Sequence, residues 1–143
     1  MHMKDKQQVA VRVDSGFSLI EVLVALLILS VGLLGLAGLQ SRGLRESNSA
    51  LLRSQAVQYA EDILDRMRAN RANALEYNIT LSDAVTGYDG IVETDLVEWR
   101  LGLATSLPGG NGEVNVDNNL TTTVLVQWLE GGQNQTITVV TRL

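Results

Sequence analysis

Three residues near the start of the chain combine types and spacing that could do chemistry. Gly16 and Phe17 lie next to each other, and Glu21 follows four residues after Phe17 within a run of Leu, Ile and Val. A carboxylate among aliphatic residues needs a cation. By insertion scales it costs about 2.5–3.5 kcal/mol at a bilayer centre, and less near the interface. A cut after Gly16 would create an α-amine at Phe17, and the Phe17 amine of a neighbouring subunit could then pair with Glu21. On the residues alone, a carboxylate tolerated at the interface fits equally well.

Other acidic groups are weaker candidates. Glu61, Asp62 and Asp65 stand on adjacent turns of a helical pattern and could suggest a metal site or an acid–base pair. Arg66 and Arg68 beside them favour a solvated face of ion pairs. Asp83, Asp89 and Asp117 are spread among turn-rich stretches, and their spacing matches no calcium loop. There is no cysteine, and the only histidine is His2, in the leading segment. A chain cut after Gly16 would have no Cys–His or Ser–His–Asp nucleophile and few ligands for a transition metal. No phosphate-cradling Gly-x-x-x-x-Gly-Lys loop occurs. The expectation is no cofactor, no metal and no enzymatic activity. Three Asn-x-Thr triplets, at Asn78, Asn119 and Asn134, carry little weight in an Asn/Thr-rich chain.

The elements that must position Glu21 come next. Phe17 to Leu39 is 23 residues long, with Glu21 as its one charge. As a helix it would extend about 35 Å, enough to cross a hydrocarbon core of about 30 Å. It shows no polar stripe, which argues against an amphipathic surface helix. The rest of a 143-residue chain could hardly bury it. It is too long for a signal-peptide core and runs into Gln40-Ser41-Arg42 without a small-residue cleavage site. A retained membrane span is expected. Lys4, Lys6 and Arg12 before the span balance Arg42, Arg45 and Arg53 after it, so charge leaves its orientation open. Gly32, Gly35 and Gly38 fit either close helix approach in a membrane or a segment able to loosen.

Beyond Leu39 the chain holds 8 Lys/Arg against 13 Asp/Glu, which equals the net charge of −5 for the whole. With no basic patch, nucleic-acid binding is not expected. Without cysteine, packing alone must hold this part together. Ser41 to Leu75 continues the helix with Leu44, Leu51, Leu52, Ala56, Tyr59, Ala60, Ile63, Leu64 and Met67 at helical spacing. Asn70 to Thr94 is polar and turn-rich, and reads as a long loop. Asp95 to Gly110 fits a strand or a helix. The helix is preferred, with Asp95 and Glu98 as a capping box, Pro108-Gly109 as the stop and Trp99 as a core anchor. Glu113–Val116, Thr121–Leu129 and Gln135–Arg142 read as three antiparallel strands, separated by turns at Asp117–Asn119 and Glu130–Asn134.

Gly16-Phe17-Ser18-Leu19-Ile20-Glu21 followed by an apolar helix resembles the processing site of type IV prepilins and related pseudopilins. The resemblance implies cleavage between Gly16 and Phe17 by a prepilin peptidase on the cytoplasmic side, and N-methylation of Phe17. It implies that Glu21 is tied to methylation and to docking into a filament. Glu21 to Gln40 is most similar to PilV-type minor pilins, also called type IV pilus modification proteins, and the Trp99 and Leu107-Pro108-Gly109-Gly110 stretch is more loosely so.

The expected fold is therefore α+β and pilin-like: a long N-terminal helix, half membrane-spanning and half amphipathic, packed on a small antiparallel sheet. Residues 1–16 would be a removed cytoplasmic leader, 17–39 a transmembrane and filament-core helix, and 40–75 its amphipathic continuation. Residues 76–143 would be loop, short helix and sheet. By the same resemblance the chain would be a minor pilin that primes pilus assembly, sits at the tip and supports adhesion and twitching motility. Its partners would be other minor pilins, the major pilin, a tip adhesin and the peptidase-methyltransferase. It would sit in the inner membrane with a periplasmic domain before assembly, and at the cell surface afterwards. A minor pseudopilin of a type II secretion system is the alternative.

Overall fold

A computed structural model of the chain describes residues 16–88 and 90–143. The expected leader, other than Gly16, and Asp89 lie outside the described residues. The chain divides between Arg42 and Gly43 into two compact units. The long helix α1, Leu19–Ala69, contributes to both.

In the first unit, residues 16–42 are all exposed, and residues 19–42 are helical. The Ser18 carbonyl accepts the first helical bonds from the Glu21 and Val22 amides. The apolar side chains touch nothing that hides them: Leu27 is 66% and Leu34 74% exposed. Ser30 returns its hydroxyl to the Leu26 carbonyl at 2.7 Å. That satisfies a polar group which lipid could not. A methyl added at Gly32, Gly35 or Gly38 would meet no atom within 4 Å. Among the described residues nothing approaches these glycines closely.

The second unit contains the rest of α1, a 3-10 helix at Arg71–Tyr77, α2 at Gly90–Ser106, and strands β1 (Asn111–Val116), β2 (Thr121–Glu130) and β3 (Gln133–Arg142). The strands form one antiparallel sheet in the order β1-β2-β3. The expected α+β architecture, a long helix with a three-stranded antiparallel sheet, is therefore present. Period-two burial on β2 puts Thr122, Val124, Val126 and Trp128 inward. Their neighbours Val114 and Val116 on β1 share that face. Leu52, Ala56, Ala60, Ile63, Leu64 and Met67 of α1 meet them, together with Val92, Leu96, Trp99 and Leu103 of α2. Trp99 is the expected core anchor, and its indole N–H donates to the Tyr59 carbonyl at 2.8 Å. Its ring lies over Gly112, where a Cβ would strike it and Leu103.

Three expectations need correction. The helix closes at Ala69 rather than Leu75. Asn70 and Asn73 compete for local hydrogen bonds there, with the Asn73 amide and side chain both donating to Asn70. Ala74 and Tyr77 keep their apolar spacing because the 3-10 turn still buries them. Leu44 and Leu51, placed on the packing face by spacing, are 73% and 55% exposed. Leu44 precedes Leu52, the first buried residue of α1, and Leu51 points about 100° around the helix from Leu52. Finally, α2 begins at Gly90, five residues before Asp95, so Asp95 and Glu98 are not its cap.

The stretch from Asn78 to Tyr88 is fastened to the sheet. Ile79 pairs with Val114 of β1 as an isolated bridge. Arg100 of α2 donates to the carbonyls of Thr80, Asp83 and Gly112. Burial lowers the Arg100 pKa, yet the side chain stays as the tie between loop, helix and strand. Asn111 reaches the Leu81 carbonyl at 2.8 Å, and Tyr88 reaches the Asn78 carbonyl at 3.0 Å.

Candidate processing and assembly site

The start of α1 places the three residues singled out from the sequence. Gly16 and Phe17 precede the first helical residue, and Phe17 is 83% exposed. The peptide bond between Gly16 and Phe17 is therefore accessible, with no side chain on its Gly16 side. Glu21 lies in the first helical turn, where the helix dipole favours an anion. One turn after Phe17, it shares with Phe17, Val22, Ala25 and Leu26 the walls of a shallow, mainly apolar hollow. Among the described residues no Lys or Arg lies within 4 Å of the Glu21 carboxylate. Its surroundings among the described residues are apolar.

A second polar constellation lies in the other unit, and the sequence pattern misassigned it. Arg66 of α1 donates to Asp62 at 3.1 Å, to Asp95 at 3.1 Å and to Glu98 at 2.7 Å. The hydroxyl of Tyr77 donates to the other Asp95 oxygen at 2.6 Å. Asp95 is buried among these groups. The hydrogen bond to Glu98 and, after it, that to Asp95 hold the Arg66 guanidinium more firmly protonated than usual. Burial first, and then the bond to Asp95, push the Tyr77 pKa from 10.0 to about 12. Each carboxylate is matched by a donor. The cluster joins α1, the 3-10 helix and α2. The signal available in the sequence was the three-residue spacing of Asp95 and Glu98, which fits a helix face as well as a capping box.

The exposed acidic residues behave as their arginine neighbours suggested. Arg68 pairs with Asp65 at 2.6 Å and lies 3.9 Å from Glu61. Among the described residues no group of three or more acidic or histidine side chains could hold a metal ion. Asp83 and Asp117 instead close local turns. The Thr80 amide donates to Asp83, and the Asn119 and Thr121 amides donate to Asp117. These bonds hold both carboxyls below their ordinary range.

Two sequence families match. The prokaryotic N-terminal methylation motif covers residues 11–37, and type IV pilin Tt1218 covers residues 38–89. Together they run without a gap from residue 11 to residue 89. The first contains Gly16, Phe17 and Glu21, and the second contains the distal half of α1 and the 3-10 helix. No curated protein and no solved structure matches the chain.

Proposed function

We propose that this chain, a type IV pilin with a prepilin motif, is a minor subunit of a bacterial type IV pilus and not an enzyme. In this reading a prepilin peptidase cuts between Gly16 and Phe17, and Phe17 is N-methylated. The apolar half of α1 then anchors the subunit in the inner membrane with its domain in the periplasm. Assembly moves that half from lipid into a filament core at the cell surface. The minor class follows the PilV-type resemblance of Glu21 to Gln40. A role in priming and at the tip, beside other minor pilins, the major pilin and an adhesin, follows from it, as do adhesion and twitching motility. The pilin match over residues 38–89 favours a pilus over a secretion pseudopilus.

The observation that carries this reading is Glu21, a carboxylate on an exposed apolar helix with no cation beside it among the described residues. An unpaired charge in a dry filament core would be costly, and a neighbour's Phe17 amine removes that cost. Glu21→Ala should leave cleavage intact and sharply reduce the chain in sheared pili. Wild-type amounts of the variant in pili would contradict the reading.

A further inference from the structure

The two edges of the sheet are treated differently. Gly131 and Gly132 form a two-residue turn with φ of 59° and 81°. Such a turn closes on a residue pair that exchanges both backbone bonds, here Glu130 and Gln133. Counting from that pair, alternate β3 residues bond to β2. The backbone groups of Asn134, Thr136, Thr138, Val140 and Arg142 point away from the sheet. The same count across β2 sends Gly112, Val114 and Val116 of β1 outward. The bonds observed there agree with it.

On β1 every outward group has a partner. Val114 exchanges two 2.9 Å bonds with Ile79. The Val116 amide donates to the Asn78 side chain at 2.7 Å, and its carbonyl accepts from the same side chain at 3.4 Å. The Gly112 carbonyl accepts from Arg100, and its amide donates to the Asn111 side chain. On β3, no hydrogen bond from any described residue reaches the five outward residues. This edge is ten residues long, and Gln133 to Thr141 carries no charge and no proline. Soluble proteins normally blunt such an edge with exactly those devices. On the core side, Ile137 and Val139 are only partly buried at its margin.

We propose that the β3 edge receives an extended strand from a different polypeptide of the pilus. The inference rests on the subunit reading above and names the kind of partner. A second copy fits poorly. Its β1 edge is closed, so head-to-tail pairing is shut. Antiparallel pairing of β3 on β3 relates copies by a two-fold axis normal to the sheet. That axis would turn the distal half of α1, which packs on the same sheet, end for end between the copies, whereas a helical filament repeats its subunits without reversing them. The partner strand carries aliphatic residues on the side that covers Ile137 and Val139. It carries polar residues beside Asn134, Thr136 and Thr138, and an acidic residue near Arg142, the strand's one charge.

The test uses the full chain in piliated cells. Thr138→Pro removes one outward N–H and no β2–β3 bond, whereas Thr138→Val keeps the backbone donor. The proline variant should fall about tenfold in sheared fibres at unchanged membrane level, roughly the effect of one lost backbone bond. The valine variant should remain. Equal incorporation of the proline variant overturns the proposal. Should that variant fail to accumulate, a photo-crosslinking residue at position 138 decides. An adduct to an extended segment of another pilus protein supports the edge. An adduct to a second copy, or none in fibres that contain the chain, overturns it. Absence of the wild-type chain from fibres would instead overturn the subunit reading itself.

Discussion

The two halves of α1 are built from the same backbone and differ in where their stability comes from. From Leu52 onward its inward residues are buried, several completely, under α2 and the sheet. From Leu19 to Arg42 nothing is buried at all. The distal half is stabilised by contacts inside its own chain, so its sequence alternates between apolar and charged faces. The proximal half is apolar all round, the pattern of a helix built for lipid or for other helices. A residue's importance to the fold should therefore depend on which half it occupies, and importance to assembly should follow the opposite pattern.

The largest contrast should come from truncating one large side chain in each half. Trp99→Ala empties the centre of the core and should cost about 3–5 kcal/mol. Leu27→Ala should change the domain's unfolding by less than about 0.5 kcal/mol. Denaturant titration of the full chain in detergent, followed by Trp128 fluorescence, reads both. Equal effects would break the comparison. Next, Gly112→Ala pushes a methyl into the Trp99 ring and Leu103, and should cost about 1–3 kcal/mol by the same titration. Asp95→Asn withdraws the charge that Arg66 and Tyr77 share and should cost about 1–3 kcal/mol.

The same cluster gives a pH test. The Tyr77 pKa is raised on folding, so its neutral form is favoured in the native domain. That contribution is complete below pH 10.0 and should be lost as pH rises through about 12. Tyr77→Phe should flatten the stability profile in that window. The smallest effect belongs to the exposed pairs: Arg68→Ala should shift stability by less than about 0.5 kcal/mol.

Much of this was legible in the sequence because period and burial agree there. The apolar run, the amphipathic stretch after it, and the three strands all follow from side-chain spacing. The sites of failure share a physical cause. Asn70 and Asn73 end α1 by local hydrogen bonding, while Ala74 and Tyr77 maintain an apolar spacing that imitates a continuing helix. Asp95 resembles a cap locally, yet its partners Arg66 and Tyr77 are 29 and 18 residues away. The Asn78–Tyr88 stretch looked like an open loop because Arg100, Asn78 and Asn111 hold it through side-chain bonds that leave no periodic trace. Gly16, Phe17 and Glu21 differ in kind: they form a local sequence pattern that needs no tertiary fold, and the methylation-motif match over residues 11–37 contains them.

The most direct measurement is the intact mass of the membrane-extracted chain from cells with and without the prepilin peptidase. The account predicts loss of Met1 to Gly16 and gain of one methyl group on Phe17, in the presence of the peptidase only. An uncut chain in both samples would leave no amine at Phe17 for Glu21 to meet, and would contradict the account at its centre.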